Sequence, residues 1–215
     1  MIEVDLKHGF DLTQRENVQF LRGVLAQGLI TAVHLGTPCS SFSRARERGG
    51  GGPPPLRSDD HPLGRPDLKP HDLVKVQIGN KCAQVTVSLA YTALLHGIPG
   101  SIENPATSRL FRMPGIMRFM KHKYVKDINL DFCCYGTPWR KRTKLVFWFL
   151  DLTPLNRICS SAKGICDHTG RQHHRLEGIE PNSKQFWTLI AEPYPQKYVP
   201  LGLVVLTICW PLELL

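Results

Sequence analysis

The stretch Leu29-Ile30-Thr31-Ala32-Val33-His34-Leu35-Gly36-Thr37-Pro38-Cys39-Ser40-Ser41-Phe42-Ser43 decides the reading of this chain. Its first seven residues form an apolar run bounded by turn signals, which predicts a buried strand. Gly36 and Pro38 end that strand and set the Cys39 thiol at its carboxyl end, where open α/β sheets bind their ligands. Upstream, Asp11 or Thr13 can cap a helix from about Gln14 to Gln27, with Val18, Leu21 and Leu25 on one face. Gly28 closes that helix, and Ile2 to Leu6 reads as a short strand before it. A strand, a helix and a second strand in this order predict a β-α-β unit of a parallel sheet.

Downstream, residues 44–69 carry Gly49 to Gly52, Pro53 to Pro55 and several basic side chains, with almost no apolar periodicity. That composition predicts a long loop springing from Cys39, either functional or a simple linker. Val74, Ile78, Val85, Leu89 and Leu94 then mark a helix from Pro70 to His96. Gly97 to Gly100 turns the chain into a second strand, Ser101-Ile102-Glu103-Asn104-Pro105, and Met113 to His122 is again helical in pattern. Tyr135-Gly136-Thr137-Pro138 and the cluster Arg140-Lys141-Arg142 lead into the strand Lys144 to Leu150. The expected fold is α/β, a mainly parallel Rossmann-like sheet with helices on both faces. Residues 1–150 are expected to form the main domain and residues 151–215 a small loop-rich lobe.

The chain holds 215 residues, with 27 Lys+Arg against 18 Asp+Glu and a formal charge of +9. This excess favours a polyanionic partner, nucleic acid first. The acidic start at Met1 to Asp5 is not a secretory signal, and the apolar Val199 to Leu215 is broken by Pro200, Gly202, Pro211 and Glu213. No membrane partner is therefore expected. Seven cysteines, an odd number, point to a reducing intracellular compartment, the nucleus if the source is eukaryotic, and to thiol or metal chemistry.

Taken in order, Pro38-Cys39 with Phe42-Ser43, then Glu103-Asn104, then Tyr135-Gly136-Thr137-Pro138 with its basic cluster and strand resemble the DNA cytosine-5 methyltransferases. The resemblance covers roughly residues 1 to 150 and implies a divergent, N-terminally incomplete member with no Gly-rich cofactor loop before Ile2. It implies methyl transfer from S-adenosylmethionine to C5 of cytosine in DNA. Cys39 would be the nucleophile, Glu103 the acid at the base and Asn104 its orienting partner, with Arg140 and Arg142 contacting base or phosphates. Lys141, not either arginine, stands in the register of the family's basic pattern. Glu3, Asp5, Asp11 and Pro38 would belong to the cofactor site. Ser41, Ser43, Arg44, Arg46 and Arg57 would line the mobile loop that closes on DNA.

The chemistry needs these residue types. A thiolate adding to C6 of cytosine makes C5 nucleophilic, a carboxyl group at N3 supports the developing charge, and a stacked base must first be flipped out. Two other readings remain open: a nucleic-acid-binding remnant without catalysis, and a thiol hydrolase with His34 or His61 as base. In the tail, Cys159, Cys166 and His173, with Cys134 (or its neighbour Cys133) as the fourth ligand, suit a structural zinc site. Unrelated thiols and phosphate-binding histidines are the plain alternative.

Overall fold

In a computed structural model, residue 4 and residues 9–47, 54–191 and 193–195 are described. Four helices, α1 (Arg15–Ala26), α2 (Pro70–Leu95), α3 (Pro114–Met120) and α4 (Trp187–Ile190), accompany four strands. The strands are β1 (Val33–Gly36), β2 (Gly100–Pro105), β3 (Val125–Asp131) and β4 (Arg142–Trp148). They form one sheet in the order β1-β2-β4-β3.

The sheet is mixed, which corrects the expectation of a mainly parallel one. β1 lies parallel to β2, with Gly36 opposite Glu103, whereas β4 runs antiparallel to both β2 and β3. Parallel pairing needs a crossover of a dozen or more residues, and α2 supplies it between β1 and β2. The short segment 132–141 has no room for a crossover, so β3 and β4 pair antiparallel. β3 itself is a strand the apolar pattern did not mark.

Alternation along the strands separates two faces. Val33, Leu35, Ile102, Val146 and Trp148 join one core with Leu25 of α1, Leu89 and Ala93 of α2, and Phe119 of α3. Ile128, Leu130, Leu145 and Phe147 face the other way, under Tyr135, Leu152, Leu155 and Tyr194. Among the described residues, helices α1 to α3 therefore pack with one face, and loop-rich chain covers the other. The expected helices on both faces are not found.

α2 begins with Pro70 at its first turn and ends at Gly97, whose φ of 68° suits glycine. The amide of Ile98 then returns to the Ala93 carbonyl at 2.8 Å, and the Ile98 carbonyl accepts from Trp148 Nε1 at 2.8 Å. These bonds aim β2 directly across the core. The loop after Cys39 is held against α2 by Arg57, which is 1% exposed. Its guanidinium donates to the Ser41 carbonyl (3.0 Å), Ser41 Oγ (3.0 Å), the Pro62 carbonyl (2.6 Å), Asn80 Oδ1 (2.7 Å) and the Val76 carbonyl (3.1 Å). It also lies 4.1 Å from the centre of the Phe42 ring.

Gly79 of α2 makes this approach possible. A Cβ there would strike Ser41 Oγ and come within 2.9 Å of the Arg57 guanidinium. Gly79→Ala is expected to lower unfolding stability by about 1–3 kcal/mol through overpacking, read by urea denaturation, and to speed proteolysis within residues 41–57.

Candidate functional site

The parallel pairing of β1 and β2 sets two strand ends side by side. Gly36 is level with Glu103, and Cys39 follows three residues beyond Gly36. The Asn104 Nδ2 donates to the Thr37 carbonyl at 2.6 Å, and the Thr37 and Thr86 hydroxyls meet at 2.8 Å. The backbone leading to Cys39 is thus fastened to β2 on one side and to α2 on the other. Cys39 is a half-buried thiol outside any disulfide. Phe42 closes a turn on it, its amide donating to the Cys39 carbonyl at 3.0 Å.

Glu103 is 8% exposed. Its Oε2 accepts from the Tyr194 hydroxyl at 3.2 Å, while Oε1 is buried with no hydrogen-bond partner, as is Asn104 Oδ1. Burial holds the Glu103 carboxyl above its ordinary pKa, opposed by the charge of Lys141 and the Tyr194 hydrogen bond. A buried polar atom without a partner is costly. Glu103 Oε1, on the face shared with Tyr194 and Lys141, therefore suits a ligand that brings it a hydrogen-bond partner, whereas Asn104 points to the opposite face, toward Thr37.

Tyr194 links Glu103 to His34 of β1. The Tyr194 oxygen lies 2.7 Å from His34 Nε2, and His34 Nδ1 lies 2.8 Å from Ser101 Oγ. Burial pushes the His34 imidazole down to about 4, so the ring is neutral at neutral pH. Sequence reasoning considered His34 only as a hydrolase base and missed Tyr194 altogether. The alternation of β1 carries the signal for His34, since positions 33 and 35 face the helices and 34 must face away.

The basic cluster divides in a way that differs from expectation. Arg142 Nε donates to Asp131 Oδ1 at 2.9 Å, and a second nitrogen of Arg142 reaches Oδ2 at 2.7 Å. Arg140 Nε reaches the same Oδ2 at 3.2 Å. Both arginines are therefore bound to a buried carboxylate instead of facing Glu103. Lys141, whose backbone has a φ of 27°, is the cation whose charge reaches Glu103. Its Nζ donates to the Ala191 carbonyl at 2.8 Å and lies 4.7 Å from the Phe132 ring centre.

The loop residues expected to close on DNA are also engaged within the fold. Arg57 is buried as described, and Ser41 accepts from it. Arg44 pairs with Glu47 at 2.9 Å, and Arg46 lies 3.6 Å from Asp72. Ser43 is half-buried beside them. Arg109, a residue the pattern did not single out, is 5% exposed, pairs with Glu47, and fixes the Phe42 carbonyl through its amide at 3.0 Å.

Of the residues expected at the cofactor, Glu3 and Asp5 lie outside the described residues, as does the first expected strand apart from Val4, which is buried in the core. Asp11 instead holds the turn before α1, whose N-cap is Gln14 and not the expected Asp11 or Thr13: its carboxylate accepts from the Thr13 amide (2.8 Å), the Thr13 hydroxyl (2.7 Å) and Gln14 Nε2 (3.1 Å). Pro38 is half-buried beside Cys39. The described residues do not assemble a cradle for S-adenosylmethionine.

A second cluster lies behind Asp131. The Sγ atoms of Cys133, Cys159 and Cys166 and a ring nitrogen of His173 all fall within 4.8 Å of one another, an arrangement able to hold a metal ion. The fourth position belongs to Cys133, not to Cys134. Asp131 Oδ2 accepts the Cys159 amide at 2.8 Å, so one carboxylate anchors both this cluster and the arginines of β4. Burial raises the Cys133 and Cys159 thiols. At Cys166 burial is outweighed by the Thr169 hydroxyl, the His168 and Thr169 amides and His173, which bring the thiol down to about 6.

Comparison with protein-family models, curated proteins and solved structures returned no match. No helix among the described residues is long and apolar enough to cross a membrane.

His34 yields a pH test. Its ring is neutral when folded but charged in the unfolded chain below 6.5, so the unfolded state binds more protons between pH 6.5 and about 4. Stability is therefore lost as pH falls through that window, by up to roughly 3 kcal/mol. His34→Gln is expected to flatten this part of the profile, measured by urea midpoints from pH 7 to pH 4.

Proposed function

We propose that this chain acts on cytosine in DNA through Cys39 and Glu103, the first half of a C5 methyl transfer. The observation that carries this reading is the Glu103 oxygen, buried and without a partner, at the strand end adjacent to the one that presents Cys39. The Cys39 thiolate would add to C6 of an extruded base. The C5–C6 π pair then moves into a C4–C5 double bond as N3 takes the Glu103 proton. Burial favours the protonated Glu103 that this step requires, and the ring nitrogen would satisfy the orphaned oxygen. Lys141 would oppose negative charge as it develops on the base.

S-adenosylmethionine is the methyl donor that the family resemblance implies. Because the described residues do not form its cradle, the chemistry assigned to Cys39 and Glu103 ends at the C6 adduct. Asp11, committed to the turn before α1, favours a second reading in which the chain binds nucleic acid without methyl transfer. Either reading suits an intracellular, and in a eukaryote nuclear, protein with reduced thiols.

The cluster of Cys133, Cys159, Cys166 and His173 supports a structural zinc site. Zn–S bonds near 2.3 Å and Zn–N bonds near 2.0 Å give tetrahedral edges of roughly 3.6–3.8 Å. The Cys159 sulfur and His173 Nε2 are 3.7 Å apart. Ser161 Oγ, 3.2 Å from His173 Nδ1, fixes the ring with Nε2 toward the sulfurs. A bound cation would displace the thiol protons and cross-link a segment with little core of its own.

Two experiments check these assignments. An adduct at C6 lets C5 exchange its hydrogen with water, so tritium release from 5-tritiated cytosine in DNA tests Cys39 and Glu103 without any methyl donor. Release is expected from the wild type, none from Cys39→Ser, and at least about 100-fold less from Glu103→Gln. Absence of release from the wild type would overturn the catalytic reading. With S-adenosylmethionine and 5-fluorocytosine DNA, a Cys39-linked product separates methyl transfer from the non-catalytic reading. For the metal, Cys133→Ser is expected to abolish stoichiometric Zn²⁺ binding by mass spectrometry and lower the melting temperature, whereas Cys134→Ser retains both.

A further inference from the structure

From Asn104 to Lys126 the chain carries no acidic residue. Within that span Arg112, Arg118, Lys121, Lys123 and Lys126 are exposed, and none forms a salt bridge among the described residues. Two carboxylates beyond this span have partners of their own. Asp127 pairs with Lys144 at 2.9 Å, and Asp151 accepts from the Thr153 amide at 3.0 Å while still feeling Lys126.

Two aromatic rings stand in this cationic surface. Tyr124 is 49% exposed and Phe149 40%, and their centres are 5.2 Å apart with an interplanar angle of 48°. Lys123 Nζ lies 4.7 Å from the Tyr124 ring centre. Phe149 adopts a φ of 54°, a left-handed conformation that bulky side chains rarely take. An exposed, strained phenylalanine tilted against an exposed tyrosine contributes little to the core, and strain of this kind collects at functional surfaces.

We propose that Tyr124 and Phe149, with Lys121, Lys123 and Lys126, bind single-stranded nucleic acid. The cations would neutralise phosphates, and the rings would stack unpaired bases, whose flat faces a duplex does not offer. A bilayer fits less well, because α3 turns Arg118 and Lys121 to water while Ile116 and Phe119 are buried, leaving no apolar stripe to insert. The surface is separate from the candidate catalytic site. Tyr124 and Phe149 flank the Val125–Trp148 pair, level with Gly100, whereas Glu103 lies three strand residues further on, about 10 Å away along the strand.

The test is fluorescence anisotropy of the full chain with labelled oligothymidylate at several salt concentrations. A probe without cytosine keeps the result independent of the Cys39 reading. Tyr124→Ala and Phe149→Gly are each expected to weaken binding about tenfold or more with the salt slope unchanged. The pair Lys123→Gln with Lys126→Gln is expected to reduce the salt slope by roughly 0.7 for each phosphate left without its cation. Glycine is at ease at a φ of 54°, so Phe149→Gly should melt no lower than the wild type, which excludes unfolding as the cause of weaker binding. Unchanged affinity in both ring variants, or equal or tighter binding to duplex, heparin or anionic vesicles, would overturn the proposal.

Discussion

A single carboxylate, Asp131, holds the antiparallel half of the molecule together. It is fully buried at the end of β3 and accepts from both neighbouring arginines of the β3–β4 turn and from the Cys159 amide. Removing both arginines would leave an uncompensated buried charge, a cost of about 3–5 kcal/mol. Through it the sheet, the Cys/His cluster and the loop bearing Lys141 share one anchor. The direction of Lys141 toward Glu103 is therefore a consequence of where Arg140 and Arg142 must go. The two arginines that look most suited to a substrate are tied to Asp131, and the charge that acts on Glu103 is that of the lysine between them, itself held by the Ala191 carbonyl and the Phe132 ring.

The parallel half depends on a different device, a guanidinium buried without a carboxylate. Arg57 is satisfied by three backbone carbonyls, a hydroxyl, an amide oxygen and an aromatic face. Burial lowers its pKa only to about 10, so it stays charged at neutral pH. Its partners come from the turn after Cys39, from the long loop and from α2, which converts a segment of loop composition into a fixed wall beside the thiol. Arg109, by contrast, is buried against a carboxylate, that of Glu47.

Local pattern was informative wherever one residue type had to occupy one place. The apolar run into Gly36, the Gly97 turn and the polar end of β2 placed Cys39 and Glu103 each toward the end of a strand, and the structure sets those strands side by side. The same reasoning failed at β3, where the apolar residues of Val125-Lys126-Asp127-Ile128-Asn129-Leu130 are few and Val125 is out of phase with Ile128 and Leu130, so no clear alternation stands out. It failed again at Cys133 and Cys134, because adjacent residues of one tight turn point in different directions, and only the position of Cys159, Cys166 and His173 selects between them. Composition also misled at Arg57, since a basic residue in a Gly- and Pro-rich loop ordinarily faces water.

The sequence alone determined which segments become α1, α2, β1 and β2, because periodicity, capping and turn chemistry act over a few residues. It also determined that a thiol and a carboxyl would each lie toward the end of a strand. The tertiary structure decided which charges are available for function. Whether Lys141 or Arg142 meets Glu103, whether His34 is neutral and joined to Tyr194, and which four donors converge behind Asp131 all depend on burial and on partners distant in sequence. Those energies arise only when the two halves of the sheet close on each other.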